Sequence, residues 1–145
     1  MASSCPISSE RVDANAIRLS ALFMFLLLLW GYVSVLALLV IIMELAIRVF
    51  MGSLYAPLFV VAKKILKFFK IDEVKEDAAA KKFAARVGLI LMIFLLLAKL
   101  MGWELVGEIL YGIMAVCIAL EAFFHYCVGC TLYNYYIRGV QLCRK

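Results

Sequence analysis

Four long apolar runs, separated by short breaks, dominate the pattern of the chain. They cover residues 16–30, 32–51, 83–101 and 105–127. An α-helix needs about 20 mostly apolar residues to cross the hydrocarbon core of a bilayer, and the first run reaches this length if its helix extends back to Val12. The pattern predicts four transmembrane helices arranged as two helical hairpins, residues 12–51 and 83–128.

The breaks inside the two hairpins are short turns that carry aromatic residues. The first is Trp30-Gly31-Tyr32 and the second is Met101-Gly102-Trp103. Trp and Tyr are enriched where a membrane protein meets water. Both turns are therefore expected at a membrane–water boundary.

The segment between the hairpins, residues 55–71, has a different pattern. Apolar residues recur at helical spacing and lysines gather on another face, while Pro57 suits a first helical turn. This predicts an amphipathic helix in the membrane interface, with its lysines near anionic lipid or docked to an acidic partner. A charged loop, residues 72–82, is expected to follow. The apolar face contains Leu58, Val61, Ala62, Ile65, Phe68 and Phe69, and the basic face contains Lys63, Lys64, Lys67 and Lys70.

The composition of the chain narrows the predicted fold class to membrane proteins. The 145 residues are 68% hydrophobic, with a mean hydropathy of +1.06, whereas soluble domains are roughly 45–50% apolar. This excludes a water-soluble domain of this size. The predicted fold is all-α: one integral-membrane domain, residues 1–145, in which two hairpins form a four-helix transmembrane bundle with an added interfacial helix.

The distribution of Lys and Arg predicts the orientation. Basic residues are frequent in the N-terminal arm, the central segment and the tail (residues 129–145), and rare at both hairpin turns. Loops rich in Lys and Arg stay in the cytoplasm. We expect both termini and the central segment on the cytoplasmic side of the membrane. The sequence predicts no cofactor and no nucleic-acid partner, and it is compatible with a homo-oligomer.

The two hairpins resemble each other in sequence. Residues 16–29 align with 84–97, and residues 43–55 align with 120–133 after one insertion. An internal duplication related by an axis along the membrane normal explains this; chance matching of leucine-rich helices is the alternative. The polar matches are Arg18 with Arg86, Glu44 with Glu121, Arg48 with His125 and Gly52 with Gly129.

Charged residues inside the predicted spans are candidate site residues, because a charge in the bilayer is costly and is usually paired or functional. Similar depths predict the pairs Arg18–Glu44 and Arg86–Glu121, or crossed pairs between the hairpins. With Arg48 and His125 nearby, the cluster has an excess of positive charge that could hold a thiolate, a small oxyanion or a lipid phosphate. The alternative is a structural cluster with snorkelling arginines.

Cys127 and Cys130 form a Cys-x-x-Cys pair at the predicted cytoplasmic end of the fourth span. The cytosol is reducing, so a structural disulfide is not expected. Reactive pairs of this kind usually lie at a helix N-terminus, where the thiolate is stabilised. Gly129 could end one helix and let another begin near Thr131, which would place Cys130 near a new N-terminus.

Three interpretations of the thiols stay open. Cys127 and Cys130, with Cys5 from the N-terminal arm, could carry out thiol–disulfide exchange or sulfur transfer, with Glu121 moving a proton. Together with His125 the three thiols could bind zinc, although two such pairs are usual. They could also be inert.

Several elements together resemble a family of small bacterial four-span membrane proteins catalogued as a domain of unknown function. The resemblance covers nearly the whole chain, and Glu44 stands where members usually have Asp. The shared elements are Cys5-Pro6, "VDxNxxR" at 12–18, Glu44 with Arg48, "YxPL" at 55–58, "KxFAxxxG" at 81–88, and Glu121 followed by "CxGCxxY" at 127–133.

The resemblance implies a four-span fold in a bacterial inner (plasma) membrane and no established activity. Some relatives occur beside thioredoxin-like or sulfurtransferase proteins, which implies sulfur or thiol traffic by association only. The motif residues expected to support the structure are Asp13, Asn15, Tyr55, Pro57, Gly129 and Tyr133.

The leading functional prediction is a membrane protein whose thiol pair exchanges electrons or sulfur with a soluble thioredoxin-like or sulfurtransferase partner. One alternative is a non-catalytic scaffold or accessory subunit of a larger membrane complex. Another is a small transporter of an inorganic sulfur anion, which would need an oligomer because a tight four-helix core leaves little room for a pore. Whether the protein is an enzyme stays open.

Overall fold

The computed structural model describes residues 11–72, 74–124, 126 and 128–143. The predicted all-α class is confirmed, with one addition: a short pair of antiparallel strands. The helices are α1 (Ala14–Gly31), α2 (Val35–Phe50), α3 (Pro57–Phe68), α4 (Ala78–Leu100), α5 (Glu104–Phe124) and α6 (Val128–Cys143), with a 3₁₀ helix at Ser53–Tyr55, and the strands are β1 (Arg11–Asp13) and β2 (Lys75–Asp77).

Two glycines make the sharp reversals of the chain possible. Gly102 has φ +73° between α4 and α5, and Gly52 has φ +100° after α2. Residues with a Cβ rarely adopt positive φ values, so glycine is the natural residue at both points. The predicted turn at residues 101–103 is thus confirmed. The other predicted turn, at residues 30–32, lies later, at residues 32–34, because α1 continues through Gly31.

Helices α1, α2, α4 and α5 pack in a closed cycle, in which α1 contacts α2 and α5, and α4 contacts the same two helices. Large aliphatic side chains fill its centre, because every helix places apolar residues at helical spacing on its inner face. The buried centre contains Met24, Leu28, Leu38, Ile41, Leu45, Met92, Leu95, Met114 and Ile118.

The turn end of this cycle is held by polar side chains that bind the C-terminal carbonyls of α1. Lys99 Nζ donates to the carbonyls of Gly31 (3.2 Å) and Tyr32 (2.7 Å), and Tyr111 Oη donates to the carbonyl of Leu28 (2.8 Å). The last carbonyls of a helix have no partner within the helix. Lys99 and Tyr111 therefore satisfy them and join α1 to α4 and α5.

Helix α3 packs against the first half of α1, and its faces differ from those predicted. Phe59, Ala62 and Leu66 are buried there, whereas Val61 and Phe68, which were assigned to the same apolar face, are 47% and 83% exposed. The helix therefore has two apolar faces, one against α1 and one exposed beside the lysines. Such an exposed face is compatible with contact to lipid.

The region predicted as a charged loop, residues 72–82, is partly structured. β2 pairs with β1 in the register Arg11 with Asp77 and Asp13 with Lys75, and α4 begins at Ala78. The amide of Ala14 also donates to the carbonyl of Val74 at 2.7 Å. The strand pair escaped prediction because three-residue strands show no hydrophobic alternation.

Among the described residues, three helices are long and apolar enough to span a membrane. They are α1, residues 80–100 of α4, and α5, with mean hydropathies of 1.7, 2.2 and 1.9. These are the helices of a membrane protein. Helix α2 is also strongly apolar but has only 16 residues, or about 24 Å of helix.

Candidate functional site

The most buried ion pair of the described structure lies within α2. Arg48 donates from Nε and Nη2 to Glu44 Oε1, at 3.2 Å and 3.0 Å. Glu44 is 1% exposed and Arg48 is 8% exposed. Residues four positions apart on a helix lie on the same face, so the helix itself brings the two side chains within reach of each other.

Ser20 on α1 completes the pair. Its hydroxyl accepts a hydrogen bond from Arg48 Nη2 at 2.8 Å and donates to the carbonyl of Ile17 at 2.7 Å. The side chain is fully buried. This serine was not among the predicted site residues. The available signal was a hydroxyl inside an apolar run, two residues after Arg18.

The second oxygen of Glu44 reaches a different helix. Oε2 accepts a hydrogen bond from the backbone amide of Leu58 at 3.1 Å, and Leu58 follows Pro57, the first residue of α3. The first amides of a helix lack intrahelical acceptors, and a carboxylate there is favoured by the helix dipole. Glu44 therefore caps α3, which gives the "YxPL" element a physical role, with Tyr55 exposed just before it.

The predicted partner of Glu44 was wrong: the structure gives it Arg48 rather than Arg18. Arg18 donates from Nη1 to Asn15 Oδ1 at 3.0 Å. Asn15 in turn donates from Nδ2 to the carbonyl of Asp72 at 3.0 Å, and its amide donates to Asp13 Oδ1 at 3.0 Å. The "VDxNxxR" element thus caps α1 and ties it to the chain that precedes β2.

Glu121 also has a partner other than the predicted one. Lys81 Nζ lies 3.5 Å from Glu121 Oε1, joining α4 to α5, and the two side chains are 14% and 24% exposed. Arg86 is exposed and makes no ion pair within the described part of the chain. Of the predicted charge cluster, the structure therefore brings together Glu44 and Arg48, while Arg18 and Arg86 lie elsewhere.

A cavity of about 270 Å³ lies between α1, α2, α4, α5 and α6. Its walls are mainly aliphatic, with Met24, Gly88 and Met114 among the lining residues. Arg48, Ser53, Lys81 and Glu121 supply the polar part of the lining. Both ion pairs thus contribute to one cavity, even though the predicted pairings were wrong.

One nitrogen of the Arg48 side chain, Nη1, has no hydrogen-bond acceptor among the described residues. Nε and Nη2 are used by Glu44 and Ser20, and Nη1 makes no hydrogen bond within the described residues. No buried side-chain nitrogen or oxygen of the described residues lacks a partner, so Nη1 is not enclosed by protein atoms. Since Arg48 lines the cavity, Nη1 is a candidate donor to a molecule bound there.

The start of α6 is pressed against α4. A Cβ on Gly129 would lie 2.5 Å from Ala84 Cβ and 2.7 Å from Ala84 Cα. The rings of Phe83 and Tyr133 are 5.5 Å apart across the same contact. Gly129 permits this close approach because it has no Cβ, and Tyr133 packs its ring against Phe83. These contacts are how the two residues, predicted to be structural, join α6 to α4.

Cys130 is the third residue of α6 and is partly buried. Helix α5 ends at Phe124 and α6 begins at Val128, so the expected break is present but lies earlier in the chain. Gly129 does not end a helix, as was predicted, but is the second residue of α6, and the new helix begins before Cys130 rather than near Thr131. Cys5, His125 and Cys127 lie outside the described residues, and the proposed zinc set therefore stays untested. Among the described residues no group of three metal-binding side chains is present.

A family model described as "Domain of unknown function (DUF4395)" matches residues 12–138. The chain belongs to this family. The range contains the whole cavity, both ion pairs and the Cys127–Cys130 pair, while Cys5 precedes it. No curated protein and no solved structure matches the chain.

Proposed function

We propose that this DUF4395 member is a four-span membrane protein whose Cys127–Cys130 pair faces the cytoplasm. The pair exchanges disulfides, or transfers sulfur, with a soluble thioredoxin-like or sulfurtransferase partner. The observation that carries the proposal is the position of Cys130 in the first turn of α6.

The first turn of a helix favours a thiolate, because its unpaired amides and the helix dipole stabilise negative charge. The contact of Gly129 with Ala84 holds this turn on α4, so the thiol has a defined position. Partial burial of Cys130 leaves it within reach of a docking partner. Inert cysteines have no need of such a placement.

In the proposed exchange, the Cys130 thiolate attacks a disulfide sulfur of the partner and releases one partner thiolate. The Cys127 thiolate then attacks Cys130 Sγ, which breaks the mixed disulfide and frees the second partner thiolate. The partner is reduced by two electrons and the pair becomes a disulfide. Glu121 is proposed to exchange protons at the polar end of the cavity, and Cys5 to act as an auxiliary thiol.

The proposed orientation rests on charge. Lysines lie on α3 and in residues 75–82, and arginines lie near both chain ends, whereas the two turns contain neither Lys nor Arg. The positive-inside rule then puts α3, α6 and the termini in the cytoplasm. Four spans require α2 to cross with its 16 residues, which is feasible where flanking polar groups reach the interface or the bilayer thins.

The test is trapping of a mixed disulfide in cells. A Cys127→Ser variant should accumulate a covalent complex with its partner, because the resolving thiol is gone, while Cys130→Ser should abolish the complex. Cys117→Ser is the matched control, since Cys117 lies inside α5 and its loss should change nothing. Unchanged trapping in Cys130→Ser would overturn the proposal.

A scaffold or accessory subunit is the second candidate, and one observation favours it. Tyr135 and Tyr136 on α6 are 80% and 66% exposed, and exposed aromatic residues are typical of protein interfaces. A subunit role predicts that Tyr135→Ser with Tyr136→Ser abolishes co-purification with a stable partner while Cys130→Ser does not. The thiol function predicts the opposite dependence on Cys130.

A further inference from the structure

We propose that the cavity between the helices is the binding site of a membrane quinone, whose ring takes up the two electrons of the thiol pair. The electron-accepting part of this inference rests on the proposed function, whereas the binding part stands on the cavity alone. Nothing in the family description assigns a ligand to this site.

The size and the lining of the cavity favour a ligand that has a polar head group and an apolar tail. Ligand pockets are commonly about 300–1,000 Å³ and mostly apolar, with a few polar groups that orient the ligand. At about 270 Å³ this cavity suits a ring-sized head group rather than a whole phospholipid. Ile113 and Leu132, which line it, are exposed at the surface of α5 and α6, so an apolar tail has a route out between the helices.

The charged side chains around the cavity favour a ligand whose head group is neutral. Arg48 is paired with Glu44, and Lys81 is paired with Glu121, so the two ion pairs leave no formal net charge for an anion to neutralise. Burying an unpaired charge is strongly unfavourable. The sequence-based expectation of a bound oxyanion is therefore not favoured by these pairings.

The hydrogen-bond donors that line the cavity favour a ligand that carries an oxygen acceptor. Arg48 is 92% buried, since it is 8% exposed, yet its Nη1 carries two hydrogens without an acceptor among the described residues. Ser53 also lines the cavity. A quinone carbonyl accepts hydrogen bonds without bringing a charge, which satisfies the guanidinium.

The cavity lies next to Cys130 in the chain. Val128 and Gly129, the two residues before Cys130, line the cavity. Thiol–disulfide exchange is reversible, so a partner in its dithiol form can reduce the Cys127–Cys130 disulfide and is itself oxidised to a disulfide. When the quinone then oxidises the Cys127–Cys130 dithiol, two S–H bonds break and one S–S bond forms. The two electrons and two protons reduce the quinone to a quinol, so the step is balanced. Glu121 lines the same cavity and provides a group that can pass a proton to a quinone oxygen.

Binding is tested with decylubiquinone, using the purified full chain in lipid nanodiscs and equilibrium dialysis. We expect saturable binding of one equivalent. Gly88→Leu should weaken it about tenfold or more, because Gly88 lines the cavity and an added Cβ meets only Leu45 methyl groups at 3.7 and 3.9 Å, leaving the longer side chain to fill the cavity. Gly112→Leu is the matched control: Gly112 is exposed on α5 with nothing within 4 Å.

Equal weakening in both glycine variants, or no saturable binding, would overturn the site. Displacement of decylubiquinone by an equal concentration of dodecanoate would overturn the preference for a neutral head group. Cys130→Ser should bind decylubiquinone as tightly as the unaltered chain, so failure of thiol trapping and failure of quinone binding are separate results.

Electron transfer is tested anaerobically by mixing the reduced protein with decylubiquinone. One quinol should form for every two thiols lost, and Cys130→Ser should form none. Binding without quinol formation would overturn the electron-accepting role. Quinol formation that persists in Gly88→Leu at the rate of the unaltered chain would show that reduction occurs outside the cavity.

Discussion

At the scale of single residues, the chain concentrates its polar chemistry in a few buried side chains. Glu44 and Arg48 are recognisable in the sequence as unusual charges in apolar runs, and both are buried in the structure. Their bonding to each other, to Ser20 and to the α3 amide depends on how α1, α2 and α3 meet. Local spacing allowed the pair but did not single it out from the pairs between helices.

Removing the carboxylate of this pair should be strongly destabilising. Glu44→Ala leaves the buried Arg48 without its counter-ion and α3 without its cap, and we expect the free energy of unfolding to fall by about 3–5 kcal/mol. Reversible unfolding in mixed detergent micelles measures this. Glu121→Ala is the control: its pair is looser, at 3.5 Å, and more exposed, so a loss as large as that of Glu44→Ala would contradict the assignment.

The hydroxyl of Ser20 should also contribute measurably. Ser20→Ala leaves one buried hydrogen of Arg48 Nη2 without an acceptor, at a cost of about 1–3 kcal/mol. Ser34→Ala provides the comparison, because Ser34 precedes α2 without making a side-chain capping bond and its loss should be close to neutral. The same unfolding assay applies, and equal effects of the two changes would refute the role of Ser20.

At the scale of elements, α3 and α6 pack against the four apolar helices and add polar residues to one end of the molecule. Helix α3 is held on α1 by Phe59, Ala62 and Leu66, and by its cap Glu44. Helix α6 is held on α4 through Gly129. The sequence suggested both the amphipathic helix and a new start near Gly129, but it assigned the wrong faces to α3 because periodicity cannot tell a core-facing stripe from a lipid-facing one.

The close contact of α6 with α4 should depend on the absence of a side chain at position 129. Gly129→Ala puts a Cβ inside the van der Waals radius of Ala84, so α6 must move away despite the better helix propensity of alanine. We expect faster proteolysis of α6 and loss of stability. The double variant Gly129→Ala, Ala84→Gly should recover only in part, because the new Cβ would still lie 2.7 Å from the Cα of residue 84. Gly139→Ala on the same helix, where nothing lies within 4 Å, should be neutral or stabilising. A loss no larger in Gly129→Ala than in Gly139→Ala would argue against the contact.

At the scale of the whole molecule, hydrogen bonds hold both ends of α1 within the four-helix core. Lys99 and Tyr111 bind the C-terminal end of α1, and Asp13, Asn15 and Arg18 organise its beginning. The cavity with its polar lining lies between these helices and α6. A rigid frame of this kind can hold a binding site in apolar surroundings.

The proposed topology gives a prediction for labelling with a membrane-impermeant maleimide. Starting from a chain without cysteines, Val33→Cys and Trp103→Cys should react in intact cells, because both exposed residues lie at the hairpin turns. Lys64→Cys on exposed α3 should react only after permeabilisation. Labelling of Val33→Cys and Lys64→Cys from the same side would mean that α2 does not cross the membrane.

The sequence by itself determined the all-α class, the extent of the apolar helices, the turn at Gly102 and the presence of α3. These follow from local causes: the length of apolar runs, glycine conformation and helical periodicity. It also marked Glu44, Arg48 and Glu121 as unusual. Only the tertiary structure decided that Glu44 both binds Arg48 and caps α3, that Lys81 pairs with Glu121, and that Arg48, Lys81 and Glu121 line one cavity. Those outcomes depend on the rotation and mutual approach of packed helices, which leucine-rich sequences specify weakly because many of their faces are equally apolar.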